Sequence, residues 1–290
     1  MSAIKTLRLL MPQWQGGGNN PAYSLGARLL EWLAPKGSHP TIEVPIDPYH
    51  STSIKKENGI IEQSALLKQL EDATTIIHQH HPQKIVVFGG DCLVEQAPIS
   101  YLNQIYDGNL GVLWMDAHPD VTTPKDFQHE HAMVLGNLLG EGDPAFAEKV
   151  PVKLNPKKVM LGGLQETMAY ETEVIQRLGL RHVGPKELSK SSNSVIEWIK
   201  EEQISKLFIH IDLDVLNASL FRSLLFANPY QDPKIFDGVA QGAMTIPELT
   251  RVIQDILPLT EIVGLGITEH MPWDAIHLQE MLEQIPILKE

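Results

Sequence analysis

The chain has 290 residues, 43% of them hydrophobic and 20% charged, with a net charge of −13 at pH 7. That apolar fraction is ample for the core of an α/β protein, and the acidic balance leaves no basic surplus for phosphates, so no nucleic-acid partner is expected. The longest apolar runs are strand-sized, too short to cross a membrane. Residues 1–20 lack the basic start and apolar core of a secretory signal, and the single cysteine excludes an internal disulfide and suits a reducing cytoplasm.

Apolar periodicity predicts the elements in chain order. Thr6–Leu10 reads as a strand, Tyr23 to Leu33 as a helix and Thr41–Pro45 as a second strand. Ile60 to His80 has helical spacing, with Leu66, Leu67, Leu70 and Ile76 or Ile77 on one side. The strand Lys84–Phe88 ends in Gly89-Gly90, and Glu95 to Tyr106 follows as a helix with Pro98 in its first turn. Leu110–Met115 is a buried strand, and His131 to Gly140 a short helix. Next come the strand Lys158–Gly162, helices Glu166 to Leu178 and Val195 to Glu202, and the strand Leu207–Leu213. Thr245 with Glu248 three residues on forms a capping box opening the helix Ile246 to Leu257. The strand Ile262–Ile267 and a helix over Leu278 to Leu288 complete the chain.

Strands alternating with helices predict a mainly parallel sheet covered on both faces, a three-layer α/β/α sandwich. No linker, repeat or low-complexity tract divides residues 1–290, which read as a single domain. Two irregular stretches, Val121–Glu130 and Ser219–Gly242, are the natural walls of a site at the carboxyl ends of strands.

Chemistry concentrates at those ends. Asp116, His118 and Asp120 crowd into five residues after one strand, and Asp212 and Asp214 follow another apolar run. On an extended path Asp116, His118 and Asp120 converge, as do His210, Asp212 and Asp214 on one strand face. Carboxylates this close repel unless a cation sits between them. Cys92, in the tight Gly89-Gly90-Asp91-Cys92 turn, can join them from a third strand end or remain an inert buried thiol. One thiol, one or two imidazoles and four carboxylates suit two Mn²⁺-like ions with bridging carboxylates. Two such ions about 4 Å apart can share a bridging hydroxide as nucleophile. His210 reads as a hydrogen-bond partner of the cluster or as a core histidine. Trp114, Trp273 and Met271 read as packing, while His129, His270 and His277 have no assigned role.

GGDC, DAHPD and DLD, each after a strand and in this order, resemble the ureohydrolase motifs GGDH, DAHxD and DxDxxDP of arginases, agmatinases and formimidoylglutamases. HEHAMVLGNLLG, GAMT and GITEH extend the likeness from Lys84 to Glu269. The resemblance implies an arginase-like fold, with one metal on Cys92, Asp116, Asp120 and Asp212 and a second on Asp116, His118, Asp212 and Asp214. His131 would be the proton shuttle, and Glu269 would pair with a guanidinium or amidine. The implied activity is hydrolysis of a linear C–N bond, other than a peptide bond, in a guanidino or amidino compound. Two Mn²⁺ ions would be the cofactors. The family's habits also make a homo-oligomer an expectation, although the sequence shows no self-interface signal.

Four departures qualify the likeness. Cys92 replaces the usual histidine, as in hydroxyarginine-hydrolysing relatives. Asn217 stands at the third aspartate of DxDxxD, a position that is not a ligand. The stretch between Asp120 and His131 is shorter than in arginases and lacks their SGN-type run for an amino-acid carboxylate. Met168 falls where an aspartate would hold the amino group. Arginine or a hydroxyarginine-like compound is therefore the first substrate expectation, with an agmatinase or guanidinobutyrase type beside it. A non-catalytic family member that binds a metal or small ligand is the rival from another class.

Overall fold

The computed structural model describes residues 5–18, 20–49 and 54–289; the segment read against a secretory signal lies partly outside them. In chain order the elements are β1 (Thr6–Met11), α1 (Ala22–Leu33), β2 (Ile42–Glu43), β3 (Lys56–Glu57), β4 (Ile60–Ile61), α2 (Gln63–His80), β5 (Lys84–Gly89), α3 (Gln96–Ile105), β6 (Leu110–Met115) and α4 (Val134–Leu139). Then follow α5 (Pro144–Ala147), β7 (Val159–Gly162), α6 (Ala169–Leu178), β8 (Arg181–Val183), α7 (Pro185–Leu188), α8 (Asn193–Glu201), β9 (Lys206–Asp212), α9 (Ile246–Ile256), β10 (Glu261–Thr268) and α10 (Trp273–Glu283).

Eight strands form one sheet in the order β2-β1-β5-β10-β9-β6-β7-β8, and every pairing in it is parallel. The six residues of β6 are all buried, as expected of a central strand covered on both faces. Their side chains alternate between two cores. Leu110, Val112 and Trp114 pack with residues of α2, α3 and α4, whereas Leu113 and Met115 pack with Val195, Trp198, Val252 and Ile256 of α8 and α9. The fold is the expected three-layer sandwich. It brings β5, β10, β9 and β6 side by side, so their carboxyl ends open on one place.

Several boundaries differ from the sequence reading, each for a local reason. The predicted helix from Ile60 begins only at Gln63, because β4 pairs antiparallel with β3. Asn58 and Gly59 turn that hairpin with φ of 50° and 95°, an Asn-Gly signal for tight hairpins left unread. The segment from His131 starts as a 3-10 turn over Glu130–Met133 before α4. The helix expected from Glu166 begins at Ala169. The last helix runs over Trp273–Glu283, earlier than expected, and Pro286 opens a separate 3-10 turn, since proline cannot continue the ladder. β8, three residues long, was too short to register. The Thr245–Glu248 capping box is present as predicted.

Candidate metal centre

Four neighbouring strand ends deliver the side chains. β5 leads to Cys92, β6 to Asp116, β9 ends on Asp212, and β10 is followed by Glu269. Neither acidic segment follows the extended path expected of it. β9 stops at Asp212 and Leu213–Val215 forms a 3-10 turn, so Asp214 reaches the site from a turn rather than from the strand face. Asp120 has φ of 49°, in the left-handed region, and the chain bends to bring it back toward Asp116. Glu269 also sits there, at φ 61°, with its N–H donated to the Gly90 carbonyl at 2.8 Å. Such conformations carry a cost at non-glycine residues and persist where surroundings fix them.

Three groups of ligand-type atoms result, each with its members within 4.8 Å of one another: Cys92, Asp116, Asp120 and His210; Cys92, Asp212 and Glu269; and Asp116, His118 and Asp214. Two ligands on opposite sides of an ion at ordinary bond lengths stand about 4 Å apart, so the spacings suit bound cations. All six residues expected as ligands fall in these groups, but the groups are not the two expected sets: Asp212 shares one only with Cys92 and Glu269, and His210 and Glu269 appear in addition. Asp116 belongs to two groups, as a bridging carboxylate must; Asp212 is joined to the cluster through Cys92, whose Sγ lies 3.1 Å from its Oδ2.

The carboxylates are oriented by the backbone. Asp116 accepts the His118 N–H at 2.7 Å on Oδ1 and the Trp114 indole N–H at 3.1 Å on Oδ2. Asp212 Oδ1 accepts the Asp214 N–H at 2.7 Å. Among the described residues, the buried oxygens Asp120 Oδ2 and Asp214 Oδ1 have no hydrogen-bond partner, an arrangement that calls for an ion or water. His118 Nε2 lies 3.0 Å from the Ala240 carbonyl. Its Nδ1 faces Asp214 at 3.1 Å and Asp116 at 3.5 Å. A proton at Nε2 leaves the Nδ1 lone pair aimed at two carboxylates, which is repulsive unless a cation lies between. This is the ligand orientation that an outer carbonyl imposes on a metal-binding histidine. The donors therefore fit divalent ions.

Without such ions, proton equilibria carry the strain. Burial raises the Asp212 and Asp214 carboxyls, and neighbouring acids raise them further against the pull of His118 on Asp214. Burial and Asp116 likewise hold Asp120 well above the usual range. The Cys92 thiol is pushed up by burial and by Asp212, Asp120, Glu269 and Asp116. A divalent ion reverses each of these by favouring the deprotonated ligand.

Glu269 is buried within this cluster, and His131 borders it, with its Nδ1 3.3 Å from Glu269 Oε1. Burial pulls the His131 imidazole down, but Glu269, Asp120 and Asp91 outweigh it and push it up to about 9. The Ser219–Gly242 stretch reaches the site through Ala240, and the Val121–Glu130 stretch reaches it through Phe127, whose ring centroid lies 6.2 Å from that of His131; the His131 N–H donates to the Gly16 carbonyl at 3.3 Å. Met168 is half-exposed and caps α6 through its N–H to Glu171 at 2.8 Å. Met271 and Trp273 pack with Trp14 and Tyr23. His270 Nδ1 lies 3.1 Å from the Gly26 carbonyl, while His277 pairs with Glu280 on the surface.

Two residues beside the site were not singled out by sequence reasoning. One is Glu95, which is fully buried. Tyr23, also buried, has its hydroxyl raised by burial and by the nearby Glu269. Neither carries a sequence signal, because each depends on tertiary approach.

The protein is thus a parallel α/β sandwich with a cluster of metal-ligand-type side chains at its central strand ends. The Arginase family model matches residues 32–223, and the chain belongs to that family. The arginase of Eremothecium gossypii is 24% identical over 297 residues, covering 94% of this chain and 71% of that protein. A Staphylococcus aureus arginase (strain COL) is 25% identical over 191 residues, covering 63% of this chain and 62% of its own length, so the match spans under two thirds of that relative. The solved structure of Entamoeba histolytica arginase in complex with L-ornithine has a TM-score of 0.75 at 18% identity, covering 94% of this chain and 93% of that one. That likeness speaks to the fold. No helix among the described residues is long and apolar enough to cross a membrane.

Proposed function

We propose that this chain is a two-metal amidinohydrolase acting on a small guanidino or amidino compound. The observation that carries this reading is the convergence of Asp116, Asp120, Asp212 and Asp214, with His118 and Cys92, at the ends of β5, β6 and β9, with Glu269 beside them at the end of β10. Among the described residues, their ion-pair partners are histidines rather than lysine or arginine. Cys92, Asp116, Asp120 and Asp212 would hold one ion, and Asp116, His118, Asp212 and Asp214 the other. Bound there, two divalent ions, Mn²⁺ first among them, would supply a water nucleophile active near neutral pH and charge to polarise the substrate.

The chain's own groups do the rest. The Glu269 carboxylate matches a planar amidinium and can accept two parallel N–H bonds, which fixes the substrate's central carbon against the cluster. His131 then has to exchange its Glu269 contact for one with the leaving amine. Its Nδ1–H gives the amine a proton, so the departing group leaves neutral and the imidazole is reprotonated from solvent. Loop carbonyls hold the two histidines of the site: Ala240 faces His118 Nε2 and Gly16 accepts the His131 backbone N–H.

Arginine or a hydroxyarginine-like compound is the leading substrate. An agmatinase or guanidinobutyrase type is the second, favoured by the missing amino-acid contacts: the SGN-type run for an α-carboxylate is absent and Met168 offers no charge for an α-amino group. Elemental analysis of metal per chain tests the reading. About two ions per chain after loading with Mn²⁺ is the expected result, and no bound metal would overturn it in favour of the non-catalytic alternative.

A further inference from the structure

His210 lies in the metal cluster without belonging to either expected ligand set. It is fully buried on β9, and one of its ring nitrogens lies within 4.8 Å of ligand atoms from Cys92, Asp116 and Asp120. Its Nε2 is 3.7 Å from Asp116 Oδ2, too far for a hydrogen bond. Neither ring nitrogen makes a hydrogen bond of regular geometry.

The ring is held from behind. Its face stacks on Trp114 at 3.6 Å between centroids, its register neighbour across β6 and β9. Its Nδ1 faces Glu95 Oε2 at 3.0 Å. Glu95 is fully buried, and neither of its oxygens has a regular hydrogen bond. A buried carboxylate of this kind is costly unless it serves a partner. Glycine at 266, paired in register with His210, leaves the space: a side chain there would run into the Glu95 carboxylate.

We propose that His210 is a ligand of the first metal position, supplying through Nε2 the imidazole that Cys92 does not, with Glu95 as its positioning residue. This rests on the two-ion reading above. The Glu95 carboxylate, 3.0 Å from Nδ1, favours the tautomer with its proton on Nδ1 and so leaves the Nε2 lone pair toward the space shared with Asp116 and Asp120. Carboxylate–imidazole–metal chains work this way elsewhere, and losing the outer carboxylate typically weakens metal binding 10–100-fold.

Proton NMR of the Co²⁺-loaded protein tests the proposal. A coordinated imidazole shows a hyperfine-shifted N–H resonance that disappears in D₂O. Two such resonances are expected, from Nε2–H of His118 and Nδ1–H of His210. His118→Asn should remove the first and His210→Gln the second. Glu95→Gln should keep both, displace that of His210 and weaken one Co²⁺ site about 10-fold. A wild-type protein that takes up two Co²⁺ ions but shows a resonance from His118 alone overturns this inference and leaves the two-ion reading standing. A protein that takes up no Co²⁺ overturns both. Because the wild type already gives the count, the test survives a His210→Gln variant that fails to fold.

Discussion

His131 Nδ1 and Glu269 Oε1 face each other across 3.3 Å, so the group expected to move a proton is held by the group expected to hold the amidinium. Substrate binding must break this pair. Glu269→Gln removes the charge that, against burial, lifts His131 to about 9, and the imidazole should fall toward its ordinary value of about 6.5. Histidine NMR titration of metal-free wild type and variant checks this. In the metal-free wild type, the stability from the pair is present in full below about pH 6.5 and is lost as pH rises through about 9. The variant should lose that dependence. Its amidine binding should weaken by about 2–5 kcal/mol, as for a truncated buried charge pair, seen as a raised KM.

Much of the site was legible because chemistry and secondary structure coincided in short motifs. β6 is a run of apolar residues that ends where Asp116 begins, so a strand-end ligand could be read directly. Asp214 was placed on the wrong kind of backbone: alternation was carried past Asp212, whereas the Asp214 N–H turns back onto the Asp212 carboxylate and starts a 3-10 turn. The same limit hid Glu95. Its partner His210 is 115 positions away in the sequence, and only strand order brings them together. The Asn58-Gly59 hairpin carried a local signal that helical spacing around it overrode.

Asp116 and Asp212 are the expected bridging carboxylates. Asp116→Ala or Asp212→Ala should each empty both metal positions, because neither ion then keeps a full set of ligands. Retention of one full equivalent of Mn²⁺ by elemental analysis in either variant would show that its carboxylate serves one ion alone.

Cys92 Sγ, 3.1 Å from Asp212 Oδ2 and 3.3 Å from Thr268 Oγ1, is placed to bind as a thiolate once a metal displaces its proton. Thiolate is a softer donor than carboxylate or imidazole. Co²⁺ loading should therefore produce a sulfur-to-metal charge-transfer band in the near ultraviolet. Cys92→Ala should lose the band and weaken one Co²⁺ site in calorimetry, whereas identical spectra and affinities would make the thiol a bystander.

Metal removal should destabilise the fold in a pH-dependent way. Burial and mutual repulsion raise the Asp120, Asp212 and Asp214 carboxyls in the metal-free protein. A raised carboxyl contributes stability below its unfolded value of about 3.9 and loses it as pH rises through the folded value. The chelated protein should thus become less stable as pH climbs above 4, about the unfolded carboxyl value. Free metal at a hundredfold its Kd should restore about 2.7 kcal/mol per site. Thermal melts across pH, with and without Mn²⁺, check both effects.

The central claim is that the cluster at the β5, β6, β9 and β10 ends is a hydrolytic metal centre for a guanidino or amidino group. Urea release by the Mn²⁺-loaded protein, measured over a panel of guanidino compounds with Co²⁺ and Ni²⁺ loading alongside, tests this most directly. The account predicts urea from at least one compound, abolished by chelation and by Asp116→Ala. Two bound ions with no urea from any guanidino compound, and no ammonia from amidino compounds offered in parallel, would contradict it.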